Sequence, residues 1–470
     1  VANITIVGGG LLGLGTGLLL SERGHEVTVL ERDRDEPGRT TDENWSTWKR
    51  QGVNQFRLPH FFLPPFIRAL RAELPAVAEA LTATGAFEYN ALLALPEQYR
   101  GPAIEGDNAF ELVTGRRPIV ESAVAFVAQD WPRLTVRRGT VVVGLSTGAP
   151  VRDGVPHVVG VVTSSGQHLP SDLVIDMSGR RSALPQWLEA IGARLPTEEV
   201  DDCGFIYYAR HFRSQDGSLP TVLGPLVLHV GTLTSLTLPA DNGTWSVTLV
   251  ASARDKAFYD LRHPATWDRA ISALPTVVHW RDGEPIDDVV ATIAKLEDRS
   301  RNFFPEGSPV ATGVVAVGDA WACSNPTLGR GASIGMMHAL ALRDVLDSEG
   351  LDDHWAFVNA FWQATAERVE PWYRDALATD RDRMAEVDAG INGIEYRPSS
   401  RFQTWRALAA AGSDPGCLRG FLAVSCVLER QDEVLSRPGL LDKALAHGGD
   451  WRDRPLAGPT RDQLLSIVAG

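Results

Sequence analysis

Ile4-Thr5-Ile6-Val7-Gly8-Gly9-Gly10-Leu11-Leu12-Gly13 opens the chain as an apolar strand that runs through a glycine-rich turn into an apolar helix. The spacing has a mechanism. Gly8 permits the tight turn, Gly10 lets the backbone approach a pyrophosphate, and Gly13 permits close packing of helix on strand. Phosphate oxygens then meet the free N–H groups at the helix N-terminus, where Leu11 and Leu12 stand. Gly24 closes the helix before a second strand, Glu26-Val27-Thr28-Val29-Leu30. At its end the Glu31 carboxylate is placed to accept bonds from an adenosine ribose. A 2′-phosphate there would face like charge, so FAD or NAD is favoured over NADP at this site. Arg32 follows directly and joins the candidate cofactor residues.

The chain has 470 residues, enough to bury a large core and to form two or three domains. With 44% hydrophobic and 22% charged residues it has the composition of a folded soluble protein. Its 59 acidic and 45 basic side chains give a net charge of -14, which argues against a broad nucleic-acid footprint. Cys203, Cys323, Cys417 and Cys426 show neither metal-ligand nor redox-pair spacing and read as small buried hydrophobes in a reducing compartment. The sequence starts directly on its first strand and holds no membrane-spanning segment, so a cytoplasmic location is expected.

Further along, Pro64 and Pro65 can begin a helix whose buried stripe runs through Ile67, Leu70, Leu74, Val77 and Leu81. Pro118 can begin another. Leu134-Thr135-Val136, Thr140 to Val143 and His157 to Val162 have the β-branched content of a small strand cluster. Asp172 to Asp176 then resumes the buried-strand pattern of the first domain, which is therefore discontinuous. Between Asp202 and Asp298 the strand signals Phe205 to Tyr208, Leu226 to Val230 and Trp245 to Val250, with Asp241-Asn242-Gly243 as a tight turn, mark a separate strand-rich domain. Nucleotide-site character returns at Gly313 to Ala320, followed by Asn325-Pro326-Thr327-Leu328-Gly329-Arg330-Gly331-Ala332 and a small-residue helix. Beyond Asp352 the pattern is helical and aromatic, with Trp355, Phe357, Phe361, Trp362, Trp372 and Tyr373 expected as packing. Pro371 and Pro415 should reset helices there.

Three signatures in this order, Gly8 to Gly13 with Glu31, Asp176-Met177-Ser178-Gly179-Arg180-Arg181-Ser182, and Gly318-Asp319-Ala320 through Gly331, resemble those of FAD-dependent monooxygenases with the para-hydroxybenzoate hydroxylase fold. More broadly they resemble related flavin epoxidases, halogenases and geranylgeranyl reductases. The resemblance covers roughly residues 1–345. It implies an α/β fold: a Rossmann-like FAD-binding domain of the GR2 type, an inserted mixed or antiparallel β-sheet substrate domain, and a helical C-terminal region. The expected division is 1–201 and 299–350 for the FAD-binding domain, 202–298 for the substrate domain and 351–470 for the helical region.

By the same resemblance Asp319 binds the ribityl or pyrophosphate part of FAD. Pro326 and the backbone of Leu328, Gly329, Gly331 and Ala332 lie near the isoalloxazine, and Arg117 approaches FAD from the helix that Pro118 begins. The central signature has two residues between Asp176 and Gly179, unlike the commoner Asp-Gly form and similar to an Asp-x-x-Gly-Arg variant. NADPH or NADH is therefore either a direct donor or one acting through a separate flavin reductase. The implied chemistry is monooxygenation, hydroxylation or epoxidation of a hydrophobic small molecule in specialised metabolism, with O2 activated at C4a of reduced flavin as a (hydro)peroxide in a water-poor pocket. The alternatives are an FAD-dependent alkene or polyprenyl reductase or dehydrogenase, and a non-catalytic flavin-binding redox sensor. Trp48, His60, Tyr207 and Arg210 are the candidate substrate-pocket residues, with Trp45 beside them. If Phe205 to Ala209 is a strand, Tyr207 and Arg210 fall on opposite faces, so only part of that group can share one pocket. No catalytic acid, base or metal ligand is expected from this chain.

Overall fold

A computed structural model describes residues 1–454 and 458–470. The strands that position the site are β1 (Asn3–Val7), β2 (Glu26–Glu31), β3 (Leu134–Arg138), β4 (Leu173–Asp176), β5 (Phe205–Arg213), β6 (Val227–Val230), β7 (Leu233–Pro239), β8 (Thr244–Ser252), β9 (Glu297–Asn302) and β10 (Val314–Ala316). The helices are α1 (Leu11–Glu22), α2 (Arg117–Gln129), α3 (Pro264–Ser272), α4 (Gly331–Glu349) and α5 (Glu370–Asn392).

A parallel sheet runs in the order β10-β4-β1-β2-β3. Its central strands are apolar on both faces, as a sheet covered on both sides requires: Ile4, Ile6, Val27, Val29, Leu173, Val174 and Ile175 are all buried. Because the strands are parallel, Val7 pairs with Asp176 and Asp176 with Ala316, which brings strand ends from three distant segments to one rim. Ligands of open α/β sheets bind outside the carboxyl ends of the strands, where the strand order reverses. That is the position of β1, between β2 and β4.

The second sheet, β6-β7-β8-β5, is antiparallel. Its β7–β8 hairpin closes at Asp241-Asn242-Gly243, where Asn242 (φ 52°) and Gly243 (φ 68°) are both left-handed, matching the strand twist. One face packs on α3 through Tyr208, Phe212, Trp245, Val247, Leu249 and Trp267. The opposite face carries Tyr207, Ala209 and Val250 against Leu58, Met384 and Val387. Helices follow from Gly331 to the C-terminal end, and those beyond Ser400 have their own apolar cluster around Leu408, Cys417, Val424 and Leu440.

Two expectations are corrected. Leu134-Thr135-Val136 does not join the small strand cluster. It is the edge strand of the parallel sheet, with Val29 opposite Val136. The single helix expected across Ile67 to Leu81 is two, Pro64–Glu73 and Pro75–Ala83, because Leu74, which precedes Pro75, is pushed out of the helical region (φ -135°). All four cysteines are buried free thiols. Among the described residues, no helix is long and apolar enough to cross a membrane.

Candidate functional site

At the β1–α1 turn the glycines separate by role. Gly8 has φ +112°, and a Cβ there would come 2.4 Å from the Met177 carbonyl oxygen. A Cβ on Gly13 would lie 1.8 Å from the Gly8 carbonyl oxygen. Both contacts are demanded by packing. Gly10 is different, since a Cβ there meets nothing within 4 Å. As the cap of α1 it offers no side-chain bond to the first-turn N–H groups, and of these the Leu11 N–H faces the Glu121 carboxylate at this positively polarised helix end. The Leu12 side chain reaches across to the third signature and occupies the space that a Cβ on Gly335 would need.

Glu31, buried at the end of β2, accepts from Gly9 N at 3.0 Å and from Asp33 N at 2.8 Å. Arg50 donates to Gly9 O at 3.1 Å and to Glu31 Oε2 at 3.3 Å, and lies 3.6 Å from both Asp33 and Glu121. Glu121 is also held by Arg117 at 2.7 Å, one helical turn earlier on α2. Burial alone would raise the Glu121 carboxyl, but Arg117 and Arg50 outweigh it and hold it below its ordinary value. Arg50 Nε and Nη1 remain buried without hydrogen-bond partners. Sequence reasoning found Arg117 and missed Arg50 and Glu121. The available signal was a carboxylate four residues after Arg117 on an otherwise apolar helix. Arg32 is exposed and lies over Gly52.

Asp176 at the end of β4 is fully buried and accepts from Ser178 N at 3.0 Å and from the Ser182 hydroxyl, which makes it the internal brace of the second signature. Asp319, in the short turn after β10, is half-buried. Burial raises its carboxyl above the ordinary value, opposed only by Arg117 and Arg180, with no hydrogen bond to it among the described residues. Arg117 and Asp319, far apart in sequence, thus face one another across the rim. His338 of α4 accepts from Gly318 N at 3.2 Å and fixes this turn from behind. Burial holds His338 down to about 3, so it is neutral. Beside Arg180 lies a cavity of about 370 Å³ lined by Arg180, Arg181, Lys295, Arg299 and Arg301, with Glu198 and Glu297.

The Pro326–Leu328 turn ends at Gly329, which is left-handed (φ +65°) and packs against Phe61. Gly331 and Ala332 then begin α4, and Gly331 is exposed with open space where a Cβ would stand. Tyr207 comes to this turn. Its hydroxyl is bonded to Asn325 Oδ1 and to the Thr327 hydroxyl. His60, half-buried beside Phe61, bonds the Leu58 carbonyl through Nδ1 at 2.9 Å. Burial, and then the nearby Arg117, lower it to about 3, with His211 also facing it. His211, also lowered to about 3 by burial and by Arg116 and Arg57, stacks edge-on with Trp45 at 4.7 Å.

The other two candidate pocket residues are not brought here. Trp48 is buried against Phe56 and donates to the Asp35 carbonyl at 3.1 Å. Arg210 points to the α3 face, where it pairs with Asp268 at 2.9 Å and lies over Trp267. Arg116, which sequence reasoning passed over for Arg117, is fully buried and pairs with Asp241 at 2.6 Å and Asp42 at 2.9 Å, tying the strand before α2 to the β7–β8 turn.

The rim therefore offers N–H donors at two helix ends, two arginines, and a carboxylate with no hydrogen-bond donor among the described residues. These suit a long ligand with an anionic middle and hydroxyl-bearing parts. Residues 3–95 match the family model described as FAD dependent oxidoreductase. Protein Rv3254 of Mycobacterium tuberculosis (strain ATCC 25618 / H37Rv) is 28% identical over 320 residues, 62% of each chain, so this chain spans less than two thirds of that relative's length. The fold is similar to that of Pseudomonas aeruginosa PqsL in complex with 2-aminobenzoylacetate (TM-score 0.57, 17% identity, covering 83% of this chain and 99% of that one). It is also similar to the Diels-Alderase PyrE3 of the pyrroindomycin pathway (0.52, 16%, covering 91% and 81%) and to tetracycline destructase Tet(51) (0.51, 13%, covering 91% and 99%). The chain therefore shares the fold of these proteins, a para-hydroxybenzoate hydroxylase-like fold, and its first segment matches the model of FAD dependent oxidoreductases.

Proposed function

We propose that the chain is an FAD-dependent monooxygenase that hydroxylates or epoxidises a hydrophobic small molecule. The observation that supports this is the meeting of three glycine-rich turns on one rim, with Gly10 and Gly331 facing open space and no hydrogen bond to the Asp319 carboxyl among the described residues. FAD fits that rim. Its pyrophosphate takes the N–H groups of Gly10 and Leu12 and the charge of Arg117, its ribose takes Glu31 beside Arg32, and its ribityl chain takes Asp319. Pro326, Leu328, Gly329 and the open end of α4 at Gly331 and Ala332 border the ring. FAD so bound supplies the redox and O2 chemistry.

The chain's own part is positioning and exclusion of water. Tyr207 holds the turn beside the ring. His60, neutral and half-buried, offers a hydrogen bond at the pocket edge without adding charge, and the 202–298 segment forms the substrate-facing wall. Trp48 and Arg210 are committed elsewhere.

Direct reduction by NADH or NADPH is supported by the cavity beside Arg180. Five cationic side chains line it against two acidic ones, in a chain whose overall charge is negative. Such a site attracts a dinucleotide polyanion. A cytoplasmic location agrees with four buried thiols that remain unpaired.

Turnover under ¹⁸O2 tests the proposal. We expect one labelled oxygen in the product, while substrate conversion without label would assign the chain to the reductases or dehydrogenases instead.

A further inference from the structure

Two buried carboxyl groups from separate elements converge on one asparagine next to the proposed flavin ring. Asp298 Oδ1, on β9, accepts from the Asn325 backbone N–H at 2.6 Å. Asp380 Oδ1, on α5, accepts from Asn325 Nδ2 at 2.9 Å. The remaining polar atom of that side chain, Oδ1, accepts from the Tyr207 hydroxyl and from Thr327 Oγ1 at 3.1 Å. Asp298 is 2% exposed and Asp380 8%, so both carboxyls lack water to carry a charge. The Asn325 side chain therefore has no freedom that does not also move Tyr207 and the turn from Pro326 to Leu328.

We infer that Asp298 and Asp380 are positioning residues for the oxidation: they grip Asn325 from both sides and so set where Tyr207 and the Pro326–Leu328 turn stand. The inference rests on that turn facing the flavin, as proposed above. Two carboxyls held on one asparagine in a dry site resist ionising. When Asp298 loses its proton, its bond to the Asn325 N–H changes strength, and the turn responds with it.

The charged surroundings agree. Burial raises Asp298 to about 6, with Asp201 and Asp202 adding to the rise while the Asn325 N–H and Arg381 oppose it. Burial and then Asp298 raise Asp380 well above the carboxylate range, opposed by the Asn325 amide and Arg330. Arg330 itself is paired with Asp375 at 3.0 Å. Cys203, Tyr207 and Tyr373 also face the pair, and burial raises all three, so none titrates in the same range.

The test follows the visible band of bound FAD in the full chain across roughly pH 5 to pH 8, a range that brackets ordinary and raised carboxyls. In the wild type we expect a one-proton spectral change centred near the value of Asp298, about 6. Asp380→Asn keeps an oxygen for the Asn325 amide and removes the second charge. It should bind FAD within about twofold of wild type and keep a midpoint near that of Asp298. Asp380→Leu removes the grip and should weaken FAD binding by about tenfold or more. A wild type whose bound flavin spectrum is flat across this range, or an Asp380→Leu variant that binds FAD as the wild type does, overturns the inference. Failure to bind FAD would instead sink the functional proposal. In that event the pair is judged in the flavin-free chain. A near-ultraviolet tyrosine signal that Asp380→Leu changes and Asp380→Asn keeps upholds the grip on Tyr207, and a signal unchanged in both overturns it.

Discussion

A Cβ at Gly13 would lie 1.8 Å from the Gly8 carbonyl oxygen, whereas one at Gly10 would meet no atom within 4 Å. The same substitution therefore has opposite consequences three residues apart. Gly13→Ala should destabilise the chain by about 2 kcal/mol or more, because backbone must move to admit the methyl group. Gly10→Ala should leave the melting temperature within about 2 °C of wild type and weaken FAD binding at least about tenfold, because the methyl group takes the space proposed for the pyrophosphate. Thermal unfolding and flavin fluorescence titration on the two variants separate the effects. Glu121 is a second residue-scale case. Glu121→Gln leaves Arg50 and Arg117 with one carboxylate fewer in a buried site and should cost about 2–3 kcal/mol at neutral pH. The folded Glu121 carboxyl lies below its unfolded value, so its contribution is complete above about pH 4.3 and is lost as pH falls through the folded value. Urea unfolding of the variant and wild type should accordingly converge in acid.

Between elements, the strand–turn–helix from Ile4 to Leu20 was legible because its glycine spacing and apolar run are local properties. So was the alternation of β5, which puts Tyr207 and Arg210 on opposite faces of the sheet. Leu134-Thr135-Val136 was read as a strand but given the wrong partners. A short β-branched run states its conformation and not its sheet, which α2 decides by returning the chain to the edge of β2. The clusters around Arg50 and around Asn325 were invisible for the same reason, since each joins charged or amide groups from segments far apart in sequence. His338 belongs with them. It looks like one residue in a small-residue helix, yet it couples α4 to the Gly318 turn through Nδ1 and to Thr365 at 3.1 Å. His338→Leu keeps the volume and orphans the buried Gly318 N–H. We expect about 1–3 kcal/mol of lost stability and weaker FAD binding together. A loss of stability with unchanged FAD affinity would detach this helix from the site.

Across the whole molecule, buried imidazoles set the response to acid. Burial lowers His60, His211 and His338 to about 3 and His229 well below its ordinary value. These groups stay neutral when folded and take up protons when unfolded, so stability falls as pH drops below about 6.5. Asp298 acts in the opposite direction below about 6, since it holds a proton in the folded state that the unfolded chain releases. Seven histidines lowered by burial, these four with His25, His157 and His354, against the raised Asp176, Asp298, Asp319 and Asp380 predict a melting temperature that declines from pH 7 to pH 5. A flat or rising profile would mean that some of these histidines are not held neutral.

The parallel sheet, its three glycine-rich turns and the antiparallel wall beside them support the proposal that a flavin sits on the shared rim and receives electrons from a nicotinamide. The most direct measurement is anaerobic reduction of the FAD-loaded protein by NADH and by NADPH, read at the flavin absorbance band. The structure predicts tight FAD binding and bleaching by at least one of the two donors. Bound flavin that bleaches with neither would contradict direct reduction and call for a partner reductase, and a chain that binds no FAD would contradict the account at its centre.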